Sequence, residues 1–359
     1  FEEFKSQLQS KEGLSGTTLS VEMIYKIMTD TVFGGYQDEK IAEWKDDIVY
    51  FLKNLNRVQI PYGAGLLAEQ QIQELPKKYS KWLPKGTPRK LMRFVAWAQG
   101  IPDVLDRMLY IEDHLFPKIA QWIDEQENLP KEKLAKMGFL GEVLSVPEEQ
   151  RSKKLKRADI FGIYTAALDS TANAANWLFS EFAQNPEILR KVARLEGEAR
   201  REYIKFILFE LWRKDPITPI IFRQVPTNET RTMPDGSVLP SDTIVLLSVG
   251  AAGQDPVRFP EPKKFNPDRY YKMSDEEITQ VQKDMYLVFA AGDKHRCQGE
   301  GAVNLTLHAL INYMADHFDS INIAPTKDGK TVIPKSNESG VSSPVDQNDD
   351  VLNYQVVWK

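Results

Sequence analysis

Phe289-Ala-Ala-Gly-Asp-Lys-His-Arg-Cys-Gln-Gly299 contains the only cysteine of a 359-residue chain. A thiolate that ligates a metal needs a tight backbone turn, hydrogen bonds to its sulfur and a nearby positive charge. Gly292 permits the turn, and Gly299 lets the backbone approach a flat ligand with no Cβ in the way. Lys294, His295 and Arg296 can meet the carboxylates of such a ligand. A lone free cysteine is by default a small buried hydrophobe. This flanking pattern instead marks Cys297 as an axial ligand to haem iron, with the haem propionates near the basic residues.

Working outward, 359 residues with 42% hydrophobic content can bury a substantial core as one large α-rich domain or two subdomains. A net charge of -5 argues against nucleic acid as the main partner, because phosphate binding is signalled by a clustered positive excess. A single cysteine leaves no intrachain disulfide and no multi-cysteine zinc site, so a cytoplasmic setting is the default expectation. The longest apolar runs, such as Ile244 to Ala252, are too short to span a bilayer. The chain starts at Phe1, so a targeting segment or anchor upstream stays open.

Hydrophobic periodicity predicts amphipathic helices over Val21 to Val32, Ile41 to Leu55 and Val104 to Glu125. Between Lys77 and Arg93 lie seven basic residues and no acidic one, interleaved with Tyr79, Trp82 and Leu91; the run reads as a solvated basic loop, with a membrane-surface or docking patch as the alternative. A long helix is predicted from Leu155 to Gln184, stopped by Asn185-Pro186, and Pro186 suits the first position of the next. A further helix ends near Lys214. The period then changes: Arg231 to Leu239 reads as a hairpin turning at Asp235-Gly236, and Thr243 to Ser248 as a strand. Helical spacing returns from Ala302 to Phe318, and strands are predicted at Thr331 to Pro334 and Leu352 to Trp358 with a polar loop between them, Asn337 to Asp350.

Glu210 and Arg213 lie three apart, which on a helix puts them on one face within pairing distance. They are followed in order by Pro219, Arg223, the hairpin, Asp255-Pro256, Phe265-Asn-Pro-Asp-Arg-Tyr270 and the cysteine loop. In this order of motifs the stretch from about Leu155 to Phe318 resembles the cytochrome P450 family of haem-thiolate enzymes. The resemblance implies a mainly α fold with small β-sheets, divided into a helical, substrate-side region (1–145) and a haem-binding core with the C-terminal strands (146–359). It also implies haem b as cofactor. By analogy, Glu210, Arg213 and Arg269 form a buried charged triad behind the haem, Arg223 and His295 bind its propionates, and Phe289, Gly292 and Gly299 shape the loop around Cys297.

On the opposite haem face the family places a small-Gly-x-acid-Thr-Thr pattern in the long helix. This chain reads Ala166-Ala-Leu-Asp-Ser-Thr171. The resemblance implies Ala166 in the groove beside the haem, Asp169 and Ser170 as the acid and alcohol that relay protons to dioxygen, and Thr171 as a supporting hydroxyl. Three departures stand out. One extra residue separates Gly292 from Cys297, Ala167 replaces the usual Gly and Ser170 the usual Thr, and the family's first β-sheet and early helices have no counterpart before Phe1. A polypeptide cut or incomplete at its start is expected over a shortened member.

The implied activity is monooxygenation of an organic small molecule. Electrons would come from a ferredoxin or flavoprotein reductase docking near Lys294 and Arg296. Alternatives are a peroxide-driven peroxygenase, a hydroperoxide isomerase or dehydratase, and a non-catalytic haem-binding partner subunit. Substrate contacts are expected only in general terms, from residues 50 to 110 and the long helix near Ile163 and Ala166.

Overall fold

The computed structural model describes residues 1–33, 39–54, 86–290, 296–326, 329–336, 343–347 and 350–359. They form two compact units, one of Phe1–Ser20 with Ser170–Lys359 and the other of Val21–Asp169. The longest helix, α8 (Lys153–Gln184), contributes to both, since the division falls between Asp169 and Ser170.

In the Val21–Asp169 unit the helices follow from amphipathic spacing. They are α2 (Gly16–Phe33, from Val21 onward), α3 (Glu39–Asn54), α4 (Thr87–Ala98), α5 (Pro102–Glu127), the short α6 (Lys131–Leu134) and α7 (Gly138–Leu144), and the first half of α8. α1 is the single turn Lys5–Leu8 of the other unit. Prolines open α4 and α5 at positions whose N–H would go unbonded anyway. The core is aromatic: Trp122 takes Phe33 and Trp44 edge-on at 5.5 and 5.9 Å, and Phe116 does the same to Phe51 and Phe161 at 5.2 and 4.4 Å. Tyr164 places its hydroxyl 2.8 Å from Thr29 Oγ1, and burial pushes its phenol well above the usual range.

In the other unit, α8 is buried on nearly every side from Thr171 to Phe182, as an all-round apolar helix at the centre of a core must be. Against it stand α9 (Pro186–Arg194), α10 (Gly197–Lys214), α11 (Val249–Gly253), α12 (Asp275–Val288) and α13 (Glu300–His317). Ser274 caps α12 in a reciprocal box with Glu277. The strands are β1 (Leu14–Ser15), β2 (Ile220–Gln224), β3 (Arg231–Thr232), β4 (Val238–Leu239), β5 (Ile244–Ser248), β6 (Phe318–Ile323), β7 (Lys335–Ser336), β8 (Pro344–Val345) and β9 (Asn353–Trp358). They form a three-stranded sheet in the order β1-β9-β6 and three two-stranded antiparallel pairs, β2-β5, β3-β4 and β7-β8. Gly236, at φ 85°, makes the β3–β4 turn that the sequence predicts at Asp235-Gly236.

The C-terminal strands differ from expectation. Thr331 to Pro334 is not a strand; the pairing begins at Lys335, after the proline that cannot donate to a ladder. β8 falls inside the span predicted as loop, and β6, whose alternate residues Phe318 and Ile321 are buried, escaped notice because it continues directly from helical spacing.

Candidate functional site

Two turns of α10 bring Glu210 and Arg213 onto one buried face, and the turn Pro267–Lys272 brings Arg269 to them. Arg213 donates from Nε to Glu210 Oε2 at 2.9 Å and from Nη2 to Oε1 at 2.8 Å. Arg269 Nε lies 3.1 Å from both oxygens of the same carboxylate. Two partners that sequence reasoning missed complete the set: the Tyr270 hydroxyl donates to Glu210 Oε2 at 3.0 Å, and the Asn266 N–H to Oε1 at 2.9 Å. Tyr270 follows Arg269 directly in a tight turn, so its adjacency to the predicted arginine was the available signal.

The second cation of this group has no second carboxylate, and backbone carbonyls take its place. Arg213 Nη1 donates to Gly253 and Pro262 at 2.7 and 2.8 Å, and Arg269 Nη1 to Pro260 at 2.8 Å. Gly253 has to be glycine, because a Cβ there would stand 2.1 Å from the Arg213 carbonyl oxygen. Burial alone would lower Arg213, but the hydrogen bond and charge of Glu210 outweigh it and the guanidinium is held above its ordinary value.

One residue further on, a second buried cluster has the opposite charge balance. Lys214 Nζ lies 2.7 Å from Glu181 Oε1 on α8 and 3.1 Å from Asp215 Oδ2. Burial raises both carboxyls, Glu181 to about 7, and only the lysine pulls them down. A proton on Glu181, shared toward Asp215, is the physical consequence of two acids around one base. Nothing in the sequence marked this group, since the ends of α8 and α10 meet only in three dimensions.

Cys297 is exposed, at the entry to α13, where the helix dipole favours a thiolate. Its N–H donates to the Phe289 carbonyl at 2.9 Å, which closes the loop. Behind Phe289, Trp212 packs edge-on at 5.3 Å and donates Nε1–H to Asn304 Oδ1 at 3.0 Å, tying α10 to α13 across the base of the loop. The only atom within 4 Å of a Cβ built on Gly299 is Cys297 Sγ, at 3.7 Å, so that side of the sulfur is open. Among the described residues no group of three or more His, Cys, Asp or Glu could hold a metal ion. A single accessible thiolate with an uncrowded glycine beside it fits the axial position of an iron porphyrin.

Gly292, Lys294 and His295 lie outside the described residues. Arg223 is half-buried on β2 and donates Nη1–H to the Phe222 carbonyl at 2.9 Å. Arg296 pairs with Glu300 at 2.9 Å. On α8, Ala166, Asp169 and Ser170 are three and four positions apart and share one stripe, whereas Thr171 is turned inward and 2% exposed. Asp169 falls in one compact unit and Ser170, Thr171 and Cys297 in the other.

The comparisons with known proteins agree with one another. A family profile described as Cytochrome P450 matches residues 2–344. Flavonoid 3',5'-hydroxylase 2 of Petunia hybrida is 25% identical over 244 residues, 63% of this chain and 47% of that protein. 2-Hydroxyisoflavanone synthase of Glycyrrhiza echinata is 26% identical over 287 residues, 71% of this chain and 52% of that protein. The chain thus spans about half the length of the curated relatives it matches. Retinoic acid bound cyanobacterial CYP120A1 superposes with a TM-score of 0.67 at 15% identity, over 100% of this chain and 72% of that one, which shows the shared fold.

Proposed function

This chain belongs to the cytochrome P450 family, and from that premise we propose that it is a haem-thiolate monooxygenase acting on an organic small molecule. The observation that carries the proposal is the lone exposed thiol, fixed by the Phe289 carbonyl and set at the start of α13 beside Gly299. Monooxygenation puts one atom of dioxygen into the substrate and the other into water, and consumes two electrons and two protons. Haem b, when bound, supplies the oxygen and electron chemistry.

The chain supplies the rest. Cys297 Sγ holds the axial position as a thiolate, and the loop closed on Phe289 keeps it there. Arg223 and His295 hold the propionates. The Asp169 carboxyl and Ser170 hydroxyl, on one stripe of α8, pass protons inward, with Thr171 supporting the helix from its buried side. A separate ferredoxin or flavoprotein delivers electrons. Arg296 is a contact for that partner, with its charge partly engaged by Glu300.

The test is the absorption spectrum of haem-reconstituted protein, reduced under carbon monoxide. A strongly red-shifted Soret band that disappears in Cys297→Ser is the expected result. Haem uptake with no such shift in the unsubstituted protein would refute thiolate ligation. Turnover with reductase, slowed in Asp169→Asn, separates monooxygenation from peroxide-driven chemistry, which that substitution leaves unchanged.

A further inference from the structure

Helix α4 has two apolar faces, and the fold uses only one. Ala96 is fully buried against Leu105, Met108 and Leu109 of α5, with Met92 partly buried beside it. At 100° per residue, Phe94 points roughly 160° away from Ala96. Phe94 is 62% exposed and Trp97 68%, with their rings stacked at 6.1 Å, and Leu91 extends the outer arc at 37%. Exposed Lys90 lies on the same arc. The other two cations of the helix are turned toward α5: Arg89 grips Asp113 through two bonds of 2.6 Å, and Arg93 reaches Asp106 at 2.8 Å. These pairs fix the rotation of α4 and hold the aromatic arc outward.

From this arrangement we infer that α4 is a docking surface for an anionic lipid membrane, lying flat on it with Phe94 and Trp97 inserted at the headgroup boundary. Single exposed apolar residues need no explanation, but a stacked Phe–Trp pair opposite an already satisfied buried face has no role in folding. Trp and Phe beside lysine is the side-chain chemistry that settles at a membrane interface. Charge decides between a membrane and a protein partner. From Lys77 to Arg93 the sequence holds seven basic residues and no acidic one, in a chain whose net charge is -5. Such a local excess complements a negatively charged leaflet. No helix among the described residues is long and apolar enough to cross a membrane, so the contact is peripheral. The inference does not depend on the proposed catalytic function.

Co-sedimentation with phosphatidylcholine vesicles, with and without phosphatidylserine, tests it. The protein should bind the phosphatidylserine vesicles, more weakly as salt is added, and its tryptophan emission should be quenched by brominated acyl chains. Phe94→Ser with Trp97→Ser should weaken binding by roughly tenfold or more, with thermal unfolding unchanged because both rings are exposed. Equal binding by the double variant would overturn the inference, as would equal binding to neutral vesicles. So would self-association in the absence of lipid that the double variant abolishes, which would assign the surface to a second copy of the chain.

Discussion

Arg213 and Lys214 are consecutive residues, yet each is the centre of a buried charge cluster built on a different principle. Around Arg213, two guanidiniums share one carboxylate, and the surplus positive charge is met by the carbonyls of Gly253, Pro260 and Pro262. Around Lys214, two carboxylates share one ammonium, and the surplus negative charge is relieved by a proton. Fixed backbone dipoles can balance a cation that never titrates, so the first cluster is insensitive to pH. The second has few donors to spare. Asn185 Nδ2 reaches Glu181 Oε2 at 3.3 Å, and Tyr354, fully buried and itself pushed upward by burial, adds no charge. The lesson is that burial of charge leads to rigidity or to titration according to which sign is in excess.

The largest effect should come from unbalancing the first cluster. Glu210→Ala leaves two guanidiniums without a counter-ion, and Arg213→Ala strands a carboxylate; each should cost about 3–5 kcal/mol and abolish folded, haem-loaded protein. Urea denaturation together with haem content measures this, and normal haem content in either variant would break the comparison at its root.

Next comes the pH dependence of the second cluster. Its sign follows from Glu181: in the unfolded chain the carboxyl ionises near its usual 4.5, and in the folded chain only near 7. Stability contributed here is complete below about pH 4.5 and is lost as pH rises through 7, by at most about 3 kcal/mol. Glu181→Gln should flatten that slope in chemical denaturation measured from pH 5 to 8. An unchanged slope would mean that the proton resides elsewhere.

A smaller effect sharpens the contrast. Arg269→Ala removes one of two cations but leaves Glu210 bonded to Arg213, Tyr270 and Asn266, so about 2 kcal/mol is expected, less than for either direct partner. A loss equal to that of Arg213→Ala would make the triad a single indivisible unit.

How far the sequence reached depends on the range of the interaction. The spacing of Glu210 and Arg213 is local, and periodicity alone placed them on one helix face; Arg269, far along the chain, was linked to them only through the family resemblance. Helices α2, α3, α5, α8 and α13 were legible because amphipathic spacing or Pro punctuation is written residue by residue. The Glu181–Lys214–Asp215 cluster was not, because no pattern within α8 or α10 says that their C-terminal ends converge. β7 and β8 are two-residue strands whose pairing depends on the partner rather than on their own β-branched content. Cys297 was read from its neighbours; Gly292 and His295, which carried much of that reading, lie outside the described residues.

The three-stranded sheet sets a schedule for synthesis as well as an architecture. β1 lies on one edge of it and hydrogen-bonds to β9, and Gln355 Nε2 donates to the Ser10 carbonyl, 345 residues away. At bacterial or eukaryotic translation rates, roughly twenty seconds to a minute separates the appearance of those two segments. For that interval Leu14 and its neighbours have no strand to join, and closing so long a loop adds its own entropic delay. The nascent chain therefore emerges with its first residues unpaired, and a chaperone that shields them until β9 leaves the ribosome should raise the yield of folded protein.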